Sequence, residues 1–186
     1  MDKEQQSALA ESAQTGAPPL PAVLSQYWGP PETIRAHLHA EAPLAVLDYW
    51  ERLRGPRRFP SRADFNPMEV RRHLPLIFML DVAPNETWRY RVVGSVIADF
   101  FGVGNPSGMT PQDIFGANAE VALTPLRICT NERALYMHTA SASWLYRDRN
   151  FVHYTVLLLP FGESDDKIEK ILCVAEFVSE EDAARS

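Results

Sequence analysis

Residues 136–177 decide the fold class of this chain: they read YMHTASASWLYRDRNFVHYTVLLLPFGESDDKIEKILCVAEF. Three apolar segments, 136–144, 151–159 and 168–177, are separated by two short polar stretches. Alternating β-branched and aromatic residues bounded by turn residues are typical of strands joined in antiparallel hairpins. This stretch therefore predicts three consecutive strands of one antiparallel sheet.

Upstream, two further strands and several helices are expected. Residues 76–82 and 88–93 flank the turn signal Pro84-Asn85-Glu86 and predict a hairpin. Helical spacing follows in 95–101 and 117–133, and Pro125 is expected to interrupt the second of these helices. The order of helix, two strands, short helices and three strands predicts an α+β domain, with helices gathered on one face of the sheet.

The best helix of the N-terminal part covers residues 43–54 and ends at Gly55-Pro56. Its apolar residues recur at three- and four-residue spacing, which forms one stripe. The stripe consists of Leu44, Leu47, Trp50 and Leu53. We predict that it is a dimer or partner surface, or alternatively that it packs on the sheet of its own domain. A shorter helix with Asn66 as its cap and Glu69 completing a capping box is expected next.

These patterns divide the chain into four parts. Residues 1–22 are polar and proline-rich and predict a disordered tail. Residues 23–75 form an N-terminal helical flank, within which 23–41 are ambiguous. The core covers 76–178, and the acidic residues 179–186 are expected to fray.

The net charge and the hydropathy of the chain argue against two classes of protein, nucleic-acid binders and membrane proteins. The chain has 186 residues and a formal net charge of -6, which argues against binding nucleic acid through broad phosphate neutralisation. The N-terminus is polar, and the apolar run 156–161 is too short to cross a bilayer, so we expect a cytoplasmic protein with no membrane contact. Cys129 and Cys173 are expected to be buried thiols in a reducing compartment.

One basic cluster lies within this acidic chain. It consists of Arg52, Arg54, Arg57, Arg58 and Arg62. Such a patch could meet an acidic partner. The simpler interpretation is a solvated helix end followed by a loop.

Strand alternation suggests a candidate ligand pocket. Small residues in the middle of the sheet leave room, which either helical side chains or a ligand must fill. Tyr90, His138 and Tyr154 would supply polar groups to an otherwise apolar site. The full set of candidate pocket residues is Tyr90, Phe101, His138, Ala140, Ala142, Trp144, Tyr154, Val156, Cys173 and Ala175.

Catalytic and metal-binding motifs are absent from the sequence. His37 and His39 lie two residues apart on a predicted helix and therefore point to different faces. No histidine has a Cys, Asp or Glu partner at recognisable metal-ligand spacing. We therefore expect neither a metal site nor an enzyme. The least favoured hypothesis for this chain is an enzyme that uses His138 and Tyr154.

The residues resemble those of the PAS fold. RYRVVGS (89–95), leading into ADFFG (98–102), resembles the second strand and following helix of PAS domains. DYWERLRG (48–55) and PSRADFNP (60–67) are similar to segments of a proteobacterial single-domain PAS-like family of unknown function. Together the similar segments cover about residues 43–178.

The resemblance implies a PAS-like five-stranded antiparallel sheet with an N-terminal flanking helix on its other face or at a dimer interface. PAS domains sense ligands or bind partners, and many form homodimers. The helix 117–133 lacks the histidine of haem-binding PAS domains, and the Asn-Cys-Arg motif of photoactive flavin domains is missing, so neither cofactor is expected. We expect a sensor that binds a small, mostly apolar ligand and signals through an unidentified protein, or alternatively a ligand-free adaptor.

Overall fold

The computed structural model describes residues 21–141 and 151–179 of the chain. Most of the predicted tail and of the frayed C-terminus lies outside this range, so those two predictions are untested. The described residues form one antiparallel sheet with helices on both of its faces. The α+β class predicted from the sequence is confirmed.

The sheet has six strands rather than the five expected. In sheet order they are β1 (Val23–Gly29), β4 (Leu135–Ser141), β5 (Phe151–Phe161), β6 (Lys170–Ser179), β2 (Ile77–Ala83) and β3 (Thr87–Val93). The additional strand, β1, lies in the segment interpreted as a helical flank. Its residues are extended because they pair antiparallel with β4, where Gln26 faces His138 and Trp28 faces Tyr136. This long-range pairing outweighs a weak local signal.

The described helices are α1 (Pro31–Arg35), α2 (Glu41–Arg54), α3 (Ser95–Phe101), α4 (Pro111–Phe115) and α5 (Glu120–Asn131). Two expectations about them were wrong in detail. Pro125 does not interrupt α5, which continues through it as one helix. Asn66 does cap a short helix, accepting a bond from the Met68 N–H, but that helix is a 3-10 turn without the predicted capping box.

Helix α2 covers one face of the sheet. Its first turn is held by Glu176 of β6, whose carboxylate accepts hydrogen bonds from the backbone N–H groups of Ala42 (2.7 Å) and Glu41 (3.3 Å). Further along the helix, the Trp50 indole donates a hydrogen bond to the carbonyl of Pro160 in β5 (2.9 Å). These bonds fix both the position and the rotation of α2 on the sheet.

The predicted partner stripe on α2 is largely internal. Leu47 and Trp50 are completely buried within the chain, and Leu44 and Leu53 are half-buried against the same core. The partner-surface prediction is therefore wrong for Leu47 and Trp50, since they pack on the domain's own sheet. Sequence spacing identifies an apolar face but does not identify what covers it.

The β2–β3 hairpin positions the helices of the opposite face. Asn85 and Glu86 both have positive φ angles, as expected for the tight turns that suit twisted hairpins. After β3 the chain passes Gly94, where a Cβ atom would lie 2.2 Å from the carbonyl oxygen of Leu74. Only glycine fits this close approach, and α3 begins at the next residue.

Candidate functional site

A cavity of about 80 Å³ lies between the second face of the sheet and helices α3 and α5. Its walls are almost entirely apolar or aromatic. The lining residues are Phe78, Leu80, Tyr90, Ile97, Phe100, Phe101, Phe115, Val121, Ala122, Pro125, Leu126, His138, Tyr154, Val156, Leu158, Cys173, Ala175 and Phe177. Apolar walls with a few polar groups are typical of small-molecule sites.

Aromatic rings in mutual contact form much of the cavity wall. The ring of Phe101 meets Tyr90 edge-on at a centroid distance of 5.2 Å and Phe115 at 5.3 Å. On the other side, the rings of Phe100 and Phe177 approach to 4.4 Å. Such pairs hold one another in position. The wall is therefore a connected set of rings rather than separate side chains.

His138 is the most unusual group in the lining. Its side chain is deeply buried on β4, and its ring centroid lies 5.7 Å from those of Tyr136 and Tyr154. The buried Nδ1 has no hydrogen-bond partner among the residues that the structure describes. Burial lowers the pKa of His138 to about 4, so the imidazole is neutral at pH 7. A buried polar atom without a partner costs free energy and calls for an explanation.

Two other ionisable groups of the lining, Tyr90 and Cys173, are also neutral at pH 7. Burial raises the pKa of the Tyr90 hydroxyl and of the Cys173 thiol well above their usual ranges. The pKa of Cys129, behind the lining, is shifted in the same direction, and Cys129 is also a free, buried thiol. The cavity therefore presents hydrogen-bonding groups but no charge.

A second cavity of about 190 Å³ adjoins the first and shares Val121, Pro125 and His138 with it. It lies at the edge of the sheet, between the start of α5 and strand β1. There the Tyr136 hydroxyl donates a hydrogen bond to the Gln26 side chain of β1 (3.0 Å). His138 thus stands in the wall that the two cavities share.

The structure brings most of the predicted pocket residues together. Seven of them line the internal cavity: Tyr90, Phe101, His138, Tyr154, Val156, Cys173 and Ala175. Ala140 instead lines the adjoining cavity, because β4 carries it past the end of the first. Ala142 and Trp144 lie outside the described residues, so their predicted role is untested.

Sequence reasoning missed the contribution of α5 as a lining helix. Val121, Ala122, Pro125 and Leu126 recur at one helical face and all line the cavity. The spacing of these residues is visible in the sequence. Because the helix was expected to be interrupted at Pro125, they were not recognised as one continuous face.

The size of the cavity limits what it holds. About 80 Å³ is well below the roughly 300–1,000 Å³ of sites for drug-sized ligands, and a haem or flavin needs more room still. Within residues 21–141 and 151–179, no group of three or more His, Cys, Asp or Glu side chains is placed to hold a metal ion.

The comparisons with known proteins agree with this architecture. The family profile described as "PAS domain" matches residues 38–175, which is more than half of the chain. No curated protein and no solved structure shows significant similarity to it. None of the helices within the described ranges is long and apolar enough to cross a bilayer. The chain therefore belongs to the PAS domain family, a family of sensory and signalling modules.

Proposed function

We propose that this domain binds one small, mostly apolar molecule in the internal cavity and signals its presence through contacts with another protein. The observation that supports the proposal is the deeply buried His138 Nδ1, which has no partner among the described residues and belongs to a cavity-lining side chain. A hydrogen bond from a ligand would satisfy this atom and recover the cost of its desolvation.

The lining also defines the chemistry of the ligand. Aromatic walls favour a flat or compact apolar body. A formal charge would be left without a counterion, because His138, Tyr90 and Cys173 are all neutral at pH 7. The proposed ligand is therefore uncharged and carries one hydroxyl, amide or ring nitrogen that bonds to the imidazole.

The adjoining cavity supplies a route for the ligand. It shares a wall with the internal cavity at Val121, Pro125 and His138, and it lies near the sheet edge formed by β1. Movement of α5 away from β4 would join the two spaces. The proposal places entry at this point, and it includes a cytoplasmic location and no catalytic step.

Native mass spectrometry of the purified protein, beside the same sample denatured, tests the proposal. We expect an additional mass that is lost on denaturation and absent from the Ala175→Leu variant, whose larger side chain fills the cavity. Ala63→Leu, an exposed substitution outside the cavity, is the matched control and should retain the mass. A clean apo mass, with no binding of small neutral aromatic compounds in subsequent screening, would contradict the proposal.

A ligand-free adaptor is the second candidate function. The small volume and the ring-to-ring contacts of the lining favour it, since they approach the packing of an ordinary core. An apo mass together with unchanged partner binding by Ala175→Leu would select this function. The same spectrum reports whether the protein is a homodimer, which stays a prediction.

A further inference from the structure

The arginine cluster of residues 52–62 separates into two groups in the structure. Arg52 and Arg57 are neutralised by ion pairs with Glu69 (2.5 Å) and Asp64 (2.8 Å). Arg54 and Arg58 have no carboxylate partner in the part of the chain that the structure describes. Within the described residues, three arginines of the cluster therefore lack a carboxylate partner: Arg62, whose side chain donates a hydrogen bond to the Phe65 carbonyl, and the pair Arg54 and Arg58.

Both of these arginines line an open groove of about 400 Å³ at one end of the sheet. The groove lies where β1 ends, where α2 ends and where α5 turns into β4. Trp50 and Phe59 form a buried apolar floor. Trp28 forms one wall, and 46% of its surface is exposed.

The floor of the groove holds the two guanidinium groups in place. The guanidinium carbon of Arg54 lies 5.7 Å from the centroid of the Trp50 ring, and that of Arg58 lies 5.3 Å from the Phe59 ring. Stacking on a ring fixes the plane of a guanidinium while leaving N–H donors at its edge. Arg54 Nε is buried and has no hydrogen-bond partner among the described residues. Arg54 Nη1 donates a hydrogen bond to the Arg57 carbonyl and Arg58 Nη2 donates one to the Arg133 carbonyl, both at 3.0 Å. The remaining N–H donors of the two groups suit carboxylates.

We propose that this groove, defined by Trp28, Trp50, Arg54, Arg58 and Phe59, binds an acidic segment of a partner protein. Its carboxylates pair with Arg54 and Arg58, and an apolar side chain of the same segment covers Trp28. Charge complementarity supports this occupant. Arg54 and Arg58 line the groove with no carboxylate partner among the described residues, and Glu132 is the one carboxylate of the lining, although the chain carries a net charge of -6. The inference rests on the proposed signalling role, since it names the partner surface that role requires.

A protein segment fits the groove better than a small free oxyanion. A phosphate or acetate ion would satisfy the guanidinium groups and leave the exposed Trp28 ring uncovered. A chain segment occupies the open length of the groove and buries that ring as well. The neighbouring Arg133 adds little charge because it pairs with Asp166 (3.0 Å), and Glu132 stands at the same edge.

The test measures fluorescence anisotropy with a labelled peptide that has a central phenylalanine flanked by glutamates. Its counterpart with glutamines in place of the glutamates is the neutral control. We expect saturable binding of the glutamate peptide, weakened on the order of tenfold or more by Arg54→Gln with Arg58→Gln. Trp28→Ala should also weaken binding, and Arg54→Lys with Arg58→Lys should restore only part of it because lysine lacks the planar fork.

The matched control is Arg71→Gln with Arg72→Gln, which removes two exposed arginines outside the groove. Equal losses in the two double variants would show unspecific charge attraction and overturn the proposal. So would the absence of saturable binding, or full displacement of the peptide by inorganic phosphate at equal concentration. None of these results touches the internal cavity, so Ala175→Leu distinguishes failure of the ligand proposal from failure of this one.

Discussion

The two faces of the sheet use the same strands but are filled differently. On one face, α2 supplies 14 continuous helical residues, and the strand side chains beneath it, such as Leu157, Leu172 and Val174, are fully buried. On the other face, the covering helices α3, α4 and α5 have seven, five and 12 residues, and a cavity remains beneath them. Two of these helices are too short to pack many large side chains in register over the sheet, and α5 contributes small residues such as Ala122, so space remains beneath them.

This difference shows that strand alternation alone does not separate a packed face from a cavity face. Val174 and Ala175 are neighbours on β6, and both are buried, yet they face opposite layers. The small side chain lies on the cavity face and the larger one on the packed face. Substitutions on the two faces should therefore differ in their effect on stability, and equal effects would break the distinction.

The largest loss of stability is expected for a substitution on the packed face of the sheet. Trp50→Ala removes a completely buried indole and its hydrogen bond to Pro160, and should lower the free energy of unfolding by about 3–5 kcal/mol. Chemical denaturation measures the loss. Phe100→Ala on the cavity face is the matched variant, and its loss should be smaller because the ring already borders empty space. Equal losses would mean that both faces are packed alike.

The second prediction concerns pH and the cavity face. The pKa of His138 is lowered to about 4 in the folded protein, against about 6.5 unfolded, so the unfolded chain takes up the proton first as the pH falls. The contribution of His138 to stability is complete above pH 6.5. It declines by up to about 3 kcal/mol as the pH falls to about 4. Denaturation of wild type and His138→Phe across this range isolates the contribution, and parallel curves would contradict it.

The third prediction compares neighbouring residues on β6. Val174→Ile adds one methylene to the packed face and should cost about 1–3 kcal/mol. Ala175→Val adds more volume but extends into the cavity, so it should be neutral or stabilising by up to about 1 kcal/mol. Thermal and chemical denaturation check both variants. A larger loss of stability for Ala175→Val than for Val174→Ile would show that the cavity is closed in solution.

The smallest effect is expected at the sheet edge. Tyr136→Phe removes the hydrogen bond to Gln26 and should cost about 1 kcal/mol, without changing the packed face. Hydrogen exchange should show faster opening of β1 than of β5, because β1 is an edge strand that this bond helps to hold. If Tyr136→Phe left the exchange rates in β1 unchanged, the backbone pairing of β1 with β4 would be sufficient to hold the strand.

Much of the fold was predictable because its signals are local. The α2 stripe, the β2–β3 hairpin and the three C-terminal strands each carry a clear period and turn residues. The strand β1 was missed because its conformation depends on β4, more than a hundred residues further along the chain. The periodicity of a short segment does not indicate which distant strand it will pair with.

The site was predictable in part for the same reason. Alternation identified His138, Tyr154 and Ala175 as neighbours on one face, and the structure places all three in one cavity lining. Alternation could not show that Arg52 and Arg57 have carboxylate partners while Arg54 and Arg58 have none within residues 21–141 and 151–179. That difference depends on where Glu69 and Asp64 lie in space.

The carboxylate of Glu176 has a mechanical consequence. It holds the first turn of α2 on one face of the sheet, while its neighbours Ala175 and Phe177 line the cavity on the other. We therefore expect a ligand that displaces β6 also to displace the first turn of α2, a helix about 21 Å long. The far end of that helix carries Arg54, so we expect a displacement of β6 to alter the groove at the surface as well.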